Sequence, residues 1–267
     1  TIERKEYVPT QEVIDEVRDF VENSGIELDY ITFAGSGEPM LHSKIKDIIT
    51  EIKKISDTKI ALITNGIMFA DEKAIDEVLE CDLIMPSLDA VSKDVFDKMN
   101  RPHKDIEIDK VIAGLIKLRK KYTKVINLEI FIIDGLNNTK SELDKLKNII
   151  KKINPDMVQL NSLDRPPVEN WVDTISIEKL QEIIDYWEMD NVEIVKKYRS
   201  RRAIRDYNEK YEEVILNMLG KRPCTLEDIS SISGLKIVEI NKYMDVLEKE
   251  EKIQTYIGER GVFIRLV

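Results

Sequence analysis

The sequence predicts an α/β protein in which parallel strands form a sheet covered by helices. Short, nearly continuous apolar runs indicate buried strands, and amphipathic stretches between them have apolar residues at helical spacing. The two alternate about six times with short connections. This repeat is typical of an open doubly wound sheet or of a complete or partial (β/α) barrel, and both bind ligands at the carboxyl ends of the strands.

The predicted elements follow one another along residues 1–195. The first helix has Thr10 as its expected N-cap. The predicted helices cover residues 10–23, 45–55, 74–79, 108–122, 141–153 and 177–187. The predicted strands cover residues 30–34, 59–63, 83–85, 125–133, 157–160 and 192–195.

The character of the chain changes at residues 196–205, where six of ten residues are basic. We therefore predict a domain over 1–195, a basic linker over 196–205 and a second domain over 206–267. In the second domain, helices are predicted at 211–219, 225–232 and 237–250, followed by a hairpin with strands at 252–256 and 262–266. Three helices followed by a hairpin resemble a winged helix-turn-helix domain.

Composition narrows the class of protein. The chain has 42% hydrophobic residues, which is enough for a sizeable core. Its formal net charge of −10 disfavours indiscriminate nucleic-acid binding. No window approaches the ~18 apolar residues of a membrane span, and the charged N-terminus is unlike a signal peptide. Two cysteines, Cys81 and Cys224, cannot by themselves form a disulfide framework or a four-cysteine metal site. We expect a cytoplasmic protein with no membrane partner and no metal ligands in this chain.

Unusual residues follow the predicted strands. The first strand ends in the turn Gly35-Ser36-Gly37-Glu38-Pro39, where glycines let the backbone approach a ligand. This turn is neither a dinucleotide fingerprint nor a P-loop, since it lacks the third glycine and the Gly-Lys pair. Other strand ends carry Thr64-Asn65-Gly66, Ser87-Leu88-Asp89, Asp134 to Asn138, and Asn161. Each is also compatible with a plain turn or a helix cap.

Taken in order, these strand ends resemble those of the radical S-adenosylmethionine (radical SAM) enzymes over roughly residues 1–195. That family has a partial (β/α)₆ barrel, and Ser36 stands where its Gly-Gly-Glu-Pro turn has the first glycine. The resemblance implies that the methionyl amino group of the cofactor is bound by backbone carbonyls of the turn and by the Glu38 carboxylate; the turn residues concerned are Gly35, Ser36, Gly37, Glu38 and Pro39.

The other strand ends are expected to contribute to the same site. Thr64 and Ser87 would bind the methionyl carboxylate or the ribose, with Asn65 and Asp89 beside them. Asn161 would lie near the adenine.

The family also holds a [4Fe–4S] cluster with a C-x₃-C-x₂-C loop, and this sequence has no such run. In the family that loop directly precedes a helix like the one predicted at 10–23. Because the chain opens at Thr1 without methionine, we expect the first strand and the cluster loop to lie upstream. On this interpretation the chain alone would be inactive; a cluster-free homologue is the alternative.

The resemblance implies an enzyme that generates a 5′-deoxyadenosyl radical with an external electron donor and an unknown substrate. The basic run 196–205 and the second domain are candidates for contacting an RNA or protein substrate. The predicted helix 237–250 is acidic, which favours protein docking or substrate presentation over DNA reading. Two alternatives stay open: a winged-helix nucleic-acid-binding or regulatory protein with a non-catalytic barrel, and a cluster-free (β/α) enzyme with Glu38 or Asp89 as acid or base.

Overall fold

The computed structural model describes residues 1–25, 28–35, 37–162, 172, 175–195, 208–235, 237–258 and 261–267. The chain divides into two compact units, residues 1–195 and residues 196–267. The predicted linker 196–205 and the predicted site residue Ser36 lie outside the described residues. Within the described ranges, no helix has the length and the apolar character needed to cross a bilayer.

The first unit is built on a six-stranded parallel sheet. Its strands are β1 (Tyr30–Phe33), β2 (Lys59–Thr64), β3 (Leu83–Pro86), β4 (Val125–Phe131), β5 (Met157–Asn161) and β6 (Val192–Ile194). They lie in the sheet in chain order, and every neighbouring pair is parallel. Right-handed crossovers in this order place the connecting helices on one face of the sheet, which is the arrangement of a partial (β/α) barrel. The predicted α/β class is confirmed.

Seven helices are described in this unit: α1 (Thr10–Asn23), α2 (Ile45–Ile55), α3 (Glu72–Asp76), α4 (Lys93–Asn100), α5 (Ile108–Lys121), α6 (Lys140–Ile153) and α7 (Ile177–Trp187). Short 3₁₀ helices cover Pro39–Leu41 and Ile67–Ala70. The main core packs the apolar stripes of these helices against buried strand residues such as Ile60, Leu62 and Leu128. Helix α4 has no counterpart among the predicted elements.

The two faces of the sheet differ in chemistry. In β4, Ile126, Leu128 and Ile130 are buried in the core, whereas the alternate residues Asn127 and Glu129 are half-buried on the opposite face. Strand register extends this second face sideways, because Ser87 pairs with Glu129, Glu129 with Gln159, and Gln159 with Glu193. The face without core-packed side chains therefore carries a polar row toward its carboxyl edge.

The expected N-cap of α1 is wrong. The helix begins at Thr10 with Pro9 in the N-cap position, and no side chain caps it there. Instead, the Thr10 N–H donates a hydrogen bond to Glu6 Oε1 at 2.6 Å. The Thr10 hydroxyl is buried without a partner among the described residues.

The second unit contains α8 (Glu209–Lys221), α9 (Leu226–Ser233), α10 (Ile237–Lys249) and the antiparallel hairpin of β7 (Ile253–Gly258) and β8 (Gly261–Leu266). Thr225 caps α9 as expected, because its hydroxyl accepts from Asp228 N–H at 3.2 Å and Asp228 Oδ2 accepts from Thr225 N–H at 3.1 Å. This unit has its own apolar core, which includes Ile215, Ile240, Leu247 and Ile264.

Candidate cofactor site

The Glu38 carboxylate fastens the glycine turn after β1 to the end of β2. Its Oε1 accepts hydrogen bonds from Met40 N–H at 3.0 Å and from the Thr64 hydroxyl at 2.7 Å. Its Oε2 accepts from Asn65 N–H at 2.7 Å. Three donors on two neighbouring strand ends thus fix the carboxylate, and with it the backbone of the turn.

Thr64 is buried rather than exposed to solvent. Only 3% of it is exposed, and its hydroxyl also accepts from Gly66 N–H at 3.1 Å. Gly66 has a φ of 74°, the left-handed region that favours glycine. The structure therefore brings Thr64 and Asn65 to Glu38 as expected for one site, with the Thr64 hydroxyl engaged in holding Glu38.

Ser87 lies beside this pair at the end of β3. Its N–H donates to the Thr64 carbonyl at 3.0 Å, and it pairs with Glu129 across β3 and β4. Ser87 is half-buried, and its hydroxyl makes no hydrogen bond within the described part of the chain. This hydroxyl can therefore accept or donate to a ligand without losing an internal partner.

Asp89 connects the ends of β3 and β4. Its Oδ1 accepts from Phe131 N–H at 2.9 Å and its Oδ2 from Asn100 Nδ2 at 2.8 Å. Burial raises the pKa of this carboxyl above its ordinary value; the two hydrogen bonds act in the opposite direction, and the charge of Glu129 raises it further. With both oxygens occupied, Asp89 is placed to support the site.

A fully buried asparagine closes the loop after β4. The Asn137 side chain accepts from Ile133 N–H at 2.8 Å and donates to the carbonyls of Asp89 and Phe131 at 2.8 and 2.7 Å. It therefore holds the Asp134 to Asn138 turn against the end of β3.

Asn161 extends the polar edge to β5. Its Nδ2 donates to Glu129 Oε1 at 2.8 Å, and its Oδ1 accepts from Ser162 N–H at 3.0 Å. Glu129 was not among the predicted site residues. The signal was present, because Glu129 is a carboxylate, and with Asn127 one of two polar residues, in a run that was predicted as a buried apolar strand.

The glycine turn also borders a cavity of about 420 Å³. Gly35, Gly37, Glu38 and Pro39 line one side of it, and the N-terminal segment and α2 line the other. Thr64, Asn65, Ser87, Asp89 and Asn161 do not line this cavity. An added Cβ would meet only Gly37 N at 4.0 Å for Gly35 and nothing within 4 Å for Gly37, so the backbone here is open to a ligand.

Neither cysteine suits an iron–sulfur cluster. Cys81 is buried just before β3, at the amino-terminal edge of the sheet, and burial raises the pKa of its thiol to about 12. Cys224 is buried in the second unit, and burial raises its thiol pKa as well. Over the ranges that the structure describes, no group of three or more histidine, cysteine or carboxylate residues could hold a metal ion.

The first unit is thus a six-stranded partial barrel with polar residues gathered at its carboxyl edge. The family model for the radical SAM superfamily matches residues 1–149. The chain therefore belongs to this superfamily, and the predicted resemblance is confirmed. S-adenosylmethionine is the cofactor of the superfamily, and a [4Fe–4S] cluster is typical of it.

Curated relatives include proteins with different names. The chain is 35% identical over 88% of its length to a protein of Brachyspira hyodysenteriae named GTPase Obg, but covers only 36% of that protein. It is 28% identical over 92% of its length to UPF0026 protein MJ1312 of Methanocaldococcus jannaschii, covering 78% of it. Only part of the first relative is thus represented here.

A solved structure shows the same fold. Streptococcus suis SuiB bound to S-adenosylmethionine superimposes with a TM-score of 0.54 at 12% identity, over 77% of this chain and 48% of that one. At this identity the comparison concerns the fold alone.

Proposed function

We propose that this chain is the core of a radical SAM enzyme and binds S-adenosylmethionine at the carboxyl edge of β1 to β5. The observation that carries the proposal is the Glu38 clamp, which joins the glycine turn to the end of β2 beside the Ser87 hydroxyl, a group with no hydrogen-bond partner among the described residues. Membership of the superfamily supports the choice of ligand.

Each residue of the edge has a distinct role in this proposal. The open backbone of Gly35 and Gly37 offers carbonyls to the methionyl ammonium, and Glu38 fixes that backbone and supplies negative charge next to it. Ser87 binds the carboxylate or the ribose. Asn161, held by Glu129, faces the adenine side of the site. Bound S-adenosylmethionine would supply the chemistry, since its one-electron reduction would release methionine and leave a 5′-deoxyadenosyl radical able to abstract hydrogen from a substrate.

The cluster does not fit the cysteines of this chain. We infer that its ligands, and the external electron donor that reduces it, are provided by residues or proteins outside this sequence. The chain's own part is to bind and orient the cofactor.

The hydrogen bonds at the edge favour this function over a cluster-free acid–base enzyme. A general acid or base must exchange a proton with its substrate. Both oxygens of Glu38 and both oxygens of Asp89 already accept protein hydrogen bonds, three of these four oxygens from backbone N–H groups. These carboxylates are suited to positioning.

Equilibrium dialysis of the full chain against radiolabelled S-adenosylmethionine tests the proposal. We expect saturable binding that unlabelled S-adenosylmethionine displaces and ATP does not. Ser87→Ala should weaken binding by about 2- to 10-fold if the hydroxyl contacts the ribose and by about 10- to 150-fold if it contacts the charged carboxylate, the value of one hydrogen bond in each case. Its free energy of unfolding should stay unchanged, since the hydroxyl has no partner to lose in the part of the chain that the structure describes.

Ser231→Ala is the matched control, because Ser231 is an exposed residue on α9 in the second unit. It should bind like the unmodified chain. Absence of saturable binding, or equal affinity of the Ser87→Ala and Ser231→Ala variants, would contradict the proposed site.

A further inference from the structure

The hairpin of the second unit carries a stack of planar side chains that the cofactor site does not use. Tyr256 and Phe263 face each other across β7 and β8, with ring centroids 5.7 Å apart and planes inclined by 21°. The Arg265 guanidinium lies 5.3 Å from the centroid of the Tyr256 ring. Arginine, tyrosine and phenylalanine thus follow one another on one face of the hairpin.

This face points away from the core of the unit. Successive residues of a strand point to opposite faces, and the alternate residues Ile253 and Ile264 are buried in the core. Tyr256 is 39% exposed and Arg265 is exposed as well. The stack is therefore presented on the outer surface of the hairpin.

The charge of this surface is positive. Arg265 donates to Gln254 Oε1 at 3.4 Å and has no carboxylate partner among the described residues. Over the whole hairpin, residues 252–267, the sequence has Lys252, Arg260 and Arg265 against Glu259, and Lys252 is paired with Glu212 and Glu250. Helix α10 is different, since its exposed charged residues are Glu239, Asp245 and Glu248 against Lys242 and Lys249. A polyanion is thus attracted by the hairpin rather than by this helix.

We propose that the Arg265–Tyr256–Phe263 stack binds unpaired bases of single-stranded RNA. Every base has a π face that stacks on aromatic rings and on guanidinium planes, so such a surface tolerates many sequences. A duplex keeps its bases stacked inside, so the rings cannot stack on them; a DNA duplex would in addition need a basic helix in its major groove, which acidic α10 does not supply. We assign the bound bases to RNA because the loops and ends of RNA commonly present unpaired bases.

Fluorescence anisotropy of the full chain with a fluorescein-labelled oligouridylate of about twelve nucleotides tests this proposal. We expect the single strand to bind more tightly than a duplex RNA of the same length. Tyr256→Leu removes the ring and should weaken binding by about 5- to 150-fold, whereas Tyr256→Phe should bind normally. Arg265→Gln should weaken binding and reduce the slope of log affinity against log salt by about 1.

Thr255→Ala is the control on the opposite face of the same strand, where Thr255 pairs with Ile264. Thermal unfolding of each variant, followed by circular dichroism, separates loss of binding from loss of the hairpin, and Arg265→Gln leaves both rings in place. The proposal is overturned if the unmodified chain does not bind the oligouridylate, if duplex RNA binds equally well, or if Tyr256→Leu and Thr255→Ala bind alike. None of these outcomes bears on S-adenosylmethionine binding, which is measured separately.

Discussion

The buried hydroxyl of Thr64 joins two turns at the carboxyl edge of the sheet. It donates to Glu38 and accepts from the Gly66 N–H, so it connects the turn after β1 with the turn after β2. We expect Thr64→Val, which keeps the shape, to lower the free energy of unfolding by about 1–3 kcal/mol in the absence of ligand, because the buried Gly66 N–H loses its partner and the half-buried Glu38 carboxylate loses one of its three. Urea unfolding followed by circular dichroism measures this.

Thr50→Val is the matched control, since the Thr50 hydroxyl makes one long bond of 3.4 Å to Glu80 at the surface. It should change the free energy of unfolding by no more than about 0.5 kcal/mol. Equal stability of the two valine variants would show that the Thr64 hydroxyl is dispensable for the fold. If only Thr64→Val then lost affinity for S-adenosylmethionine, direct cofactor contact would be the better account.

The site was partly readable from residues because strand ends in a parallel sheet must converge. That argument brought the turn at Gly35, Thr64 and Ser87 to one edge, where the structure places them. It did not reveal that Glu38 accepts hydrogen bonds from Thr64 and Asn65 at the end of β2, or that Asn161 is held by Glu129. These are contacts between residues far apart in sequence, which local patterns do not encode.

Helix α5 approaches the backbone of the 3₁₀ helix Ile67–Ala70 at Gly114. A Cβ on Gly114 would lie 2.5 Å from the carbonyl carbon and oxygen of Phe69, and a backbone cannot withdraw as a flexible side chain can. We expect Gly114→Ala to lower the free energy of unfolding by about 1–3 kcal/mol or more, although alanine is the better helix former. Chemical denaturation of the variant tests this.

The control is the other helical glycine, Gly220 in α8, where a Cβ would meet only Leu266 Cδ1 at an ordinary 3.6 Å. There the propensity of alanine should prevail, and Gly220→Ala should raise stability by about 0.4–1 kcal/mol. A stabilising Gly114→Ala would mean that α5 can move away from Phe69 at little cost.

Glu142 of α6 fixes the start of α4. Glu142 is 2% exposed. Its carboxylate accepts hydrogen bonds from the N–H groups of Val91 and Ser92 at 2.6 and 2.8 Å, and from the Ser92 hydroxyl. Burial by itself would raise the pKa of Glu142, but these hydrogen bonds and Lys145 bring it below its ordinary value of 4.5. The ionised form is therefore the one that stabilises the fold.

A lowered pKa in the folded state gives stability that is present above the unfolded value and is lost as pH falls through the folded value. We expect Glu142→Gln to lose about 1–2 kcal/mol of unfolding free energy at neutral pH. The difference between the variant and the unmodified chain should shrink as pH falls below 4.5, where the carboxylate of the unfolded chain becomes protonated, and should be lost once pH has passed the lower pKa of the native carboxylate. Urea unfolding across this pH range measures both. A difference independent of pH would assign the effect to packing.

The ends of helices and strands were predictable where apolar residues recur at regular spacing along the whole element. Helices α2 and α7 and hairpin strand β8 lie within one residue of their predicted ranges. Helix α4 was missed because its eight residues include four charged ones and too few apolar ones to define a period. Its start is fixed by hydrogen bonds to the carboxylate of Glu142, which lies 51 residues beyond Val91, one of the donors. Tertiary contact, rather than local propensity, decides such a helix.

At the scale of the whole molecule, each compact unit has a hydrophobic core of its own. The buried cluster of the first unit extends from Met40 to Val192, and that of the second from Ile215 to Ile264. A unit the size of residues 1–195 buries enough surface to be stable by itself, whereas a domain of about sixty residues is only marginally stable. We therefore expect the fragment 1–195 to fold without the second unit.

Fluorescence of the fully buried Trp187 and circular dichroism of the fragment measure this expectation. The fragment should unfold cooperatively, with a midpoint close to that of the first unit in the full chain, and should bind S-adenosylmethionine within about twofold of the full chain. It should also lose affinity for oligouridylate, since the hairpin stack is gone. A fragment that folds but no longer binds S-adenosylmethionine would show that the second unit contributes to the cofactor site, contrary to the strand-edge arrangement argued from Glu38 and Ser87.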